Sequence, residues 1–253
     1  MARAGTGNGT AEGIAGPPGL SNFRDFGGLP VAGGGRIVTG RFFRSAAPLT
    51  LEQAGLAALG QHVSVVVDLR GRVERGPSSH AGFADAGFEV LSHPVEPRTS
   101  GALFAMLQAG TASAPVTKDL MITAYRAYVT HHAADFGGAL TAIVQAGRPA
   151  LVHCTAGKDR TGFIVGVLQA ALGADEADIV EDYLTTNRAW DRASVRGHMP
   201  LDHPAVQPVL LADADYLAAA FEEVRAHHGG ARSFVRAATG GRVTDADLDR
   251  LVV

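Results

Sequence analysis

The chain has 253 residues, of which 46% are hydrophobic and 19% charged, with a formal net charge of -3 and a mean hydropathy of +0.10. That length and apolar fraction can bury a sizeable core, which excludes a globally disordered chain. The weak negative charge excludes the molecule-wide basic field that draws proteins to nucleic acid or anionic membranes, so any anion site must be local.

Residues 1–19, rich in Gly, Ala and Thr and closing on Pro17-Pro18, read as a flexible tail. They lack the apolar run of a secretory signal, and no stretch of the chain is long and apolar enough to span a bilayer. The expectation is a protein without stable membrane insertion, cytoplasmic or exported without a recognisable signal peptide. Residues 20–253 read as one domain with no internal repeat. Short strands are expected within 22–45, with a turn at Gly33-Gly34-Gly35 and a strand at Arg41-Phe42-Phe43-Arg44. Thr50-Leu51-Glu52-Gln53 has capping-box spacing with Thr50 as N-cap, which predicts a helix to about Leu59.

The β-branched run at 63–69 predicts a parallel strand buried on both faces, ending in Asp68-Leu69-Arg70-Gly71. A further strand is expected at 88–95. Residues 96–115 carry Pro, Gly and Ser around an apolar piece at 103–107 and read as an insertion or a lid. Helical patterns follow at 118–132 and 136–146. A short strand at 149–153, a Gly-containing turn at 154–160 and an apolar helix at 161–172, stopped by Gly173, come next. Helices at 175–187 and 213–228 flank an interrupted stretch, 192–207, read as a loop. Short helices at 233–238 and 245–251 complete the chain, the last capped by Thr244 with Asp247 at N3. Strands alternating with helices predict an α/β fold, a mostly parallel central sheet flanked by helices, with helical lid insertions. Ligands in such folds bind beyond the carboxyl ends of strands.

The chemistry concentrates in His153-Cys154-Thr155-Ala156-Gly157-Lys158-Asp159-Arg160-Thr161-Gly162. A lone Cys is commonly a small buried hydrophobe, but Cys154 stands where a strand turns into a helix. Such a turn offers unpaired N–H groups and the positive end of a helix dipole, which together bind anions. The amides from Thr155 to Arg160 can surround phosphoryl oxygens, Gly157 permits the tight curvature, and Arg160 supplies a planar fork. The same field favours an ionised Cys154 sulfur able to attack phosphorus. Thr161 can donate to that sulfur, Lys158 adds positive charge, and His153 can orient the turn. A carboxylic acid must protonate the departing oxygen.

This segment resembles the phosphate-binding loop of protein tyrosine and dual-specificity phosphatases. Its Gly-Lys-Asp-Arg-Thr-Gly form is similar to the atypical bacterial branch, which includes the mycobacterial tyrosine phosphatase B type and the Listeria lipid phosphatase type. Asn22-Phe23-Arg24-Asp25-Phe26-Gly27-Gly28, Phe43-Arg44-Ser45-Ala46, Val66-Val67-Asp68-Leu69-Arg70 and Asp182-Tyr183-Leu184 match that branch in order. The resemblance implies a protein tyrosine phosphatase-like fold and cofactor-free hydrolysis through a phosphocysteine. The implied substrates are phosphorylated proteins, on Tyr, Ser or Thr, and phosphoinositides, with Lys158 associated with lipid recognition. It suggests Asp159 as the acid; Asp68, at a neighbouring strand end, is the alternative. Trp190-Asp191 lacks the Pro of a Trp-Pro-Asp acid loop and lies after the Cys, not before it. Arg24, Asp25, Arg44 and Arg70 are expected in structural pairs.

No metal is expected: His131-His132 and His227-His228 are adjacent, and adjacent helical residues do not converge on one ion. Rival readings are a small-molecule phosphatase of the same mechanism, a rhodanese-like sulfurtransferase and a phosphoprotein-binding module. The last needs no nucleophile, and five residues between Cys154 and Arg160 suit phosphate better than sulfur transfer.

Overall fold

The computed structural model describes residues 16–48, 51–76, 82–96, 99–195 and 200–253. Five strands, β1 (Arg24–Asp25), β2 (Phe42–Ser45), β3 (Val65–Asp68), β4 (Glu89–Ser92) and β5 (Ala150–His153), form one sheet in the order β1-β2-β5-β3-β4. Only β1 is antiparallel to its neighbour; the other pairings are parallel. The helices are α1 (Gln53–Gly60), α2 (Arg72–Arg75), α3 (Thr99–Gln108), α4 (Ala114–Thr130), α5 (Ala133–Gln145) and α6 (Asp159–Ala171). They continue with α7 (Glu176–Ala189), α8 (Gln207–Leu210), α9 (Ala214–His228), α10 (Ala231–Ala238) and α11 (Asp245–Asp249). This is the mostly parallel α/β arrangement expected from the sequence.

Side chains alternate across a strand, so the two faces of the sheet build two cores. Phe42, Val65, Val67, Ala150 and Val152 join the larger core with Tyr125, Phe136, Phe163 and Phe234. Phe43, Val66 and Leu151 join the smaller one with Leu59, Val63, Phe83 and Phe88. Burial on both faces is why β3 and β5 read as nearly continuous apolar runs. β5 is central, and its register sets Ser45 and Asp68 on either side of His153. Three strand ends therefore lie level where the chain leaves β5 for the 154–160 turn.

Several boundaries differ from the sequence reading. α1 starts at Gln53 with Glu52 at its cap position, and Thr50 lies outside the described residues. α4 starts at Ala114 because Ser113 caps it, with Pro115 in its first turn where a missing N–H costs nothing. α6 starts at Asp159, which places Asp159 and Arg160 inside its first turn. The stretch 96–115 contains α3, whose Leu107 packs on a third apolar cluster with Ala46, Ala156, Trp190, Leu201, Val206 and Leu210. Of the expected loop at 192–207, residues 196–199 lie outside the description, while 192–195 and 204–206 form 3-10 turns. Of the expected tail, 1–15 lie outside the description; Pro17 is buried and its carbonyl accepts from Leu20 N at 3.0 Å. Among the described residues, no helix is long and apolar enough to cross a membrane.

Candidate active site

The 154–160 turn is held by its carbonyls. His153 Nδ1 donates to Cys154 O at 3.1 Å, and Ala47 N donates to Thr155 O at 2.9 Å. Asn22 Nδ2 reaches both Ala156 O (2.9 Å) and Gly157 O (3.1 Å), and Arg44 Nη2 donates to Gly157 O at 2.9 Å. In a trans peptide the carbonyl and the next N–H point in opposite directions. Anchoring these carbonyls therefore turns the N–H groups of Thr155, Ala156, Gly157 and Lys158 the other way. Among the described residues, the backbone N–H groups from Thr155 to Thr161 donate to no partner. Buried backbone donors are nearly always paired, so a run of unpaired ones at a helix N-terminus is a site for an anion.

Cys154 is the first residue of this turn and is 2% exposed. It packs at the edge of the larger core. Thr161, whose hydroxyl is buried without a hydrogen-bond partner among the described residues, belongs to the same first turn of α6. Arg160 is held by Glu74 of α2: Nη1 meets Oε2 at 2.5 Å and Nη2 meets Oε1 at 2.8 Å. Nη1 also faces the carbonyls of Val95 (3.2 Å) and Leu69 (3.5 Å). These contacts use the end of the guanidinium and, among the described residues, leave its Nε side without a partner, which is the second fork a phosphate can take. Burial alone would lower the pKa of Arg160, but Glu74 and Cys154 raise it, so it stays charged. Burial would raise that of Glu74, but Arg160, Thr155 and Gly71 hold it below the usual value. Glu74 also accepts from Thr155 Oγ1 at 2.7 Å, which ties α2 to the loop at two points.

The carboxylates proposed from sequence separate clearly. Asp159 is 24% exposed at its side chain, and its Oδ1 accepts from Tyr125 Oη at 3.0 Å and lies 3.2 Å from Lys158 Nζ. Asp68 is fully buried and bound by Arg70 through Nη2 at 2.9 Å and through the backbone N at 2.9 Å. Burial pushes its pKa up, but His153 and Arg70 outweigh that and hold it below the usual range. Enclosed and held by Arg70, Asp68 braces the strand ends. Lys158 differs from the sequence reading as well. It is 1% exposed and donates to Leu211 O at 3.1 Å and to Val209 O, so it ties the loop to the end of α8. Its charge stays in the loop, but its ammonium is not presented to solvent. Glu74, Asn22 and Tyr125 were not singled out as site residues from sequence. Asn22 at least carried a signal, being the first residue of a matched segment, and it has a φ of 59°, rare outside Gly.

Arg24, Arg44 and Arg70 make the structural pairs expected of them, whereas Asp25 pairs with no charge among the described residues and binds backbone amides instead. Asp25 accepts from Gly27 N at 2.7 Å and from Gly40 N at 2.5 Å. Asp182 of α7 pairs with Arg24 Nε and Arg44 Nη1, each at 2.7 Å. Burial and the neighbouring Arg44 pull Arg24 down to about 10, against the opposing pull of Asp182. For Asp182, burial pushes upward, but the two Arg charges win and hold it below 3.8. A depressed folded value means that the pair contributes fully above the unfolded value and loses its contribution as pH falls through the folded one. Asp182→Asn is expected to cost about 3–5 kcal/mol at neutral pH, the range for breaking a buried pair. Urea titrations should show that gap narrowing in acid below pH 3.8; an equal gap at both pH values would show that charge is not its source.

A model of the tyrosine phosphatase family matches residues 17–252. A Cupriavidus necator protein named as a candidate tyrosine-protein phosphatase is 34% identical over 227 residues, covering 86% of this chain and 81% of its own. The triple specificity protein phosphatase PtpB of Mycobacterium tuberculosis is 32% identical over 194 residues, covering 67% of this chain and 68% of its own. Among solved structures, P. aeruginosa TpbA aligns at 21% identity over 76% of this chain and 97% of its own. Its TM-score of 0.34 is too slight a likeness to bear on the site.

Proposed function

The chain belongs to the tyrosine phosphatase family, and from that premise we propose that it hydrolyses phosphotyrosine through a phosphocysteine on Cys154, with phosphoserine, phosphothreonine and phosphoinositides as further substrates. The run of unpaired amides from Thr155 to Thr161 carries the reading. It supplies donors for the equatorial oxygens, joined by the Nε side of Arg160. Cys154 sulfur attacks phosphorus in line, the bond from phosphorus to the ester oxygen breaks, and Asp159 gives that oxygen its proton. Water then attacks phosphorus and passes a proton to the Asp159 carboxylate, and the P–S bond breaks. The sulfur leaves as a thiolate, to which the Thr161 hydroxyl donates. Neutralisation by amides and Arg160 supplies what a metal otherwise would.

An apolar surface beside the loop supports an aromatic or lipid leaving group. Leu107 and Leu201 pack with Ala156 in one cluster, and Phe104, one turn before Leu107 on α3, is 61% exposed. The test is a panel of phosphopeptides, phosphoinositides and metabolite phosphates assayed in chelator. Phosphotyrosine peptides are expected to give the highest kcat/KM. Turnover confined to sugar or nucleotide phosphates would move the substrate class to small metabolites, and turnover of thiosulfate alone would overturn phosphate chemistry.

A further inference from the structure

Behind Asp159 lies a chain of hydroxyls that the reaction as written does not use. Tyr125 of α4 is fully buried, and its Oη donates to Asp159 Oδ1 at 3.0 Å. Tyr183 of α7 places its own Oη 2.7 Å from that of Tyr125. A phenol has one proton. Tyr125 gives its proton to Asp159, so Tyr183 must be the donor to Tyr125. Burial, and then the charge of Asp159, hold both phenols well above their usual range, so both stay protonated and keep donating.

Oδ1 of Asp159 thus faces two donors, Tyr125 and Lys158. Oδ2 has no hydrogen-bond partner among the described residues. A carboxyl oxygen that accepts a hydrogen bond and lies against an ammonium is held as the carbonyl oxygen, and the proton resides on the other. We propose that Tyr125, backed by Tyr183, is a positioning residue that fixes Asp159 so that Oδ2 carries the proton delivered to the leaving group. This rests on Asp159 being the acid.

The packing shows that the arrangement is built in. A Cβ on Gly162 would lie 2.7 Å from both Cδ2 and Cε2 of Tyr183, so only a glycine in the first turns of α6 admits that ring. The Tyr125 ring is enclosed by Tyr128 at 5.1 Å and Tyr216 at 5.6 Å, which leaves its hydroxyl little freedom. Asp182-Tyr183 therefore reaches the loop by two routes. Asp182 acts through Arg44 on the Gly157 carbonyl, and Tyr183 acts through Tyr125 on Asp159.

Tyr125→Phe removes one hydroxyl and keeps the ring. The experiment measures kcat/KM across a series of aryl phosphates of rising leaving-group pKa, for wild type, Tyr125→Phe, Tyr183→Phe and Asp159→Asn, with orthophosphate inhibition as the check on the loop. For Tyr125→Phe the expected loss is about 10-fold for the poorest leaving groups and within about twofold for 4-nitrophenyl phosphate, part of the 10²–10⁴-fold that a general acid supplies. Tyr183→Phe should show a smaller loss of the same slope, and orthophosphate inhibition should be unchanged in both. An equal loss across the series would make Tyr125 merely structural and overturn the proposal, as would no loss. If Asp159→Asn shows a steep dependence while both Phe variants stay flat, the positioning role alone falls. If Asp159→Asn is itself flat, the acid assignment falls and this inference with it.

Discussion

Cys154→Ser is expected to lower turnover by on the order of 10⁴–10⁶-fold, the scale seen when a covalent nucleophile is removed, while orthophosphate still binds. The two effects separate because different atoms carry them. In the proposed mechanism the sulfur makes the bond to phosphorus, while the amides from Thr155 to Thr161 and the Nε side of Arg160 hold the oxygens. A hydroxyl fits where the thiol sat but is not ionised at neutral pH. Steady-state kinetics and calorimetric titration with phosphate measure the two effects independently. Turnover close to that of wild type would rule out the covalent route.

Gly157→Ala should destroy both properties at once. Gly157 has a φ of 65°, and a Cβ there would lie 2.1 Å from Ser45 O, 2.4 Å from Ser45 C and 2.8 Å from Ala46 N. The left-handed backbone alone costs a non-glycine residue roughly 1–2 kcal/mol. The overlap is worse, because the obstacle is the backbone of β2, paired in register with β5. The strand cannot retreat, so the turn must move and drop the bonds from Asn22 and Arg44 to the Gly157 carbonyl. Misplacing reacting groups by about 1 Å can cost 10²-fold, so a loss of at least about that size in kcat/KM is expected. Phosphate affinity should fall with it, in contrast to Cys154→Ser. Retained phosphate affinity in a folded Gly157→Ala protein would show that the carbonyl anchors do not shape the turn.

The sheet was legible because β3 and β5 are buried on both faces, and continuous β-branched or apolar runs declare that environment. The 154–160 turn was legible because sulfur, glycine, guanidinium and hydroxyl occur there at a spacing that phosphate chemistry demands. What stayed hidden acts across long separations. Glu74 is one acidic residue in a charged stretch, and nothing local marks it as the partner of Arg160, 86 positions away. Tyr125 sits on an apolar helix face where an aromatic ring is usually core, and only the fold brings its hydroxyl to Asp159. Lys158 reads as a positive charge offered to the pocket, but the carbonyls of Val209 and Leu211 sequester its ammonium. Asp68 stands at a strand end as a catalytic carboxylate would, yet Arg70, two residues on, closes over it.

The fastening of the loop carbonyls by Asn22, Arg44, Ala47 and His153 has a kinetic corollary. The disorder lost in arranging those donors is lost when the chain folds and not again at each encounter. A receptor shaped in advance for one anion cannot distinguish a tethered phosphate from a free one by closing around it. Orthophosphate, the end product, should therefore compete for the vacated cradle, and the catalyst's output should fall as phosphate in its surroundings rises.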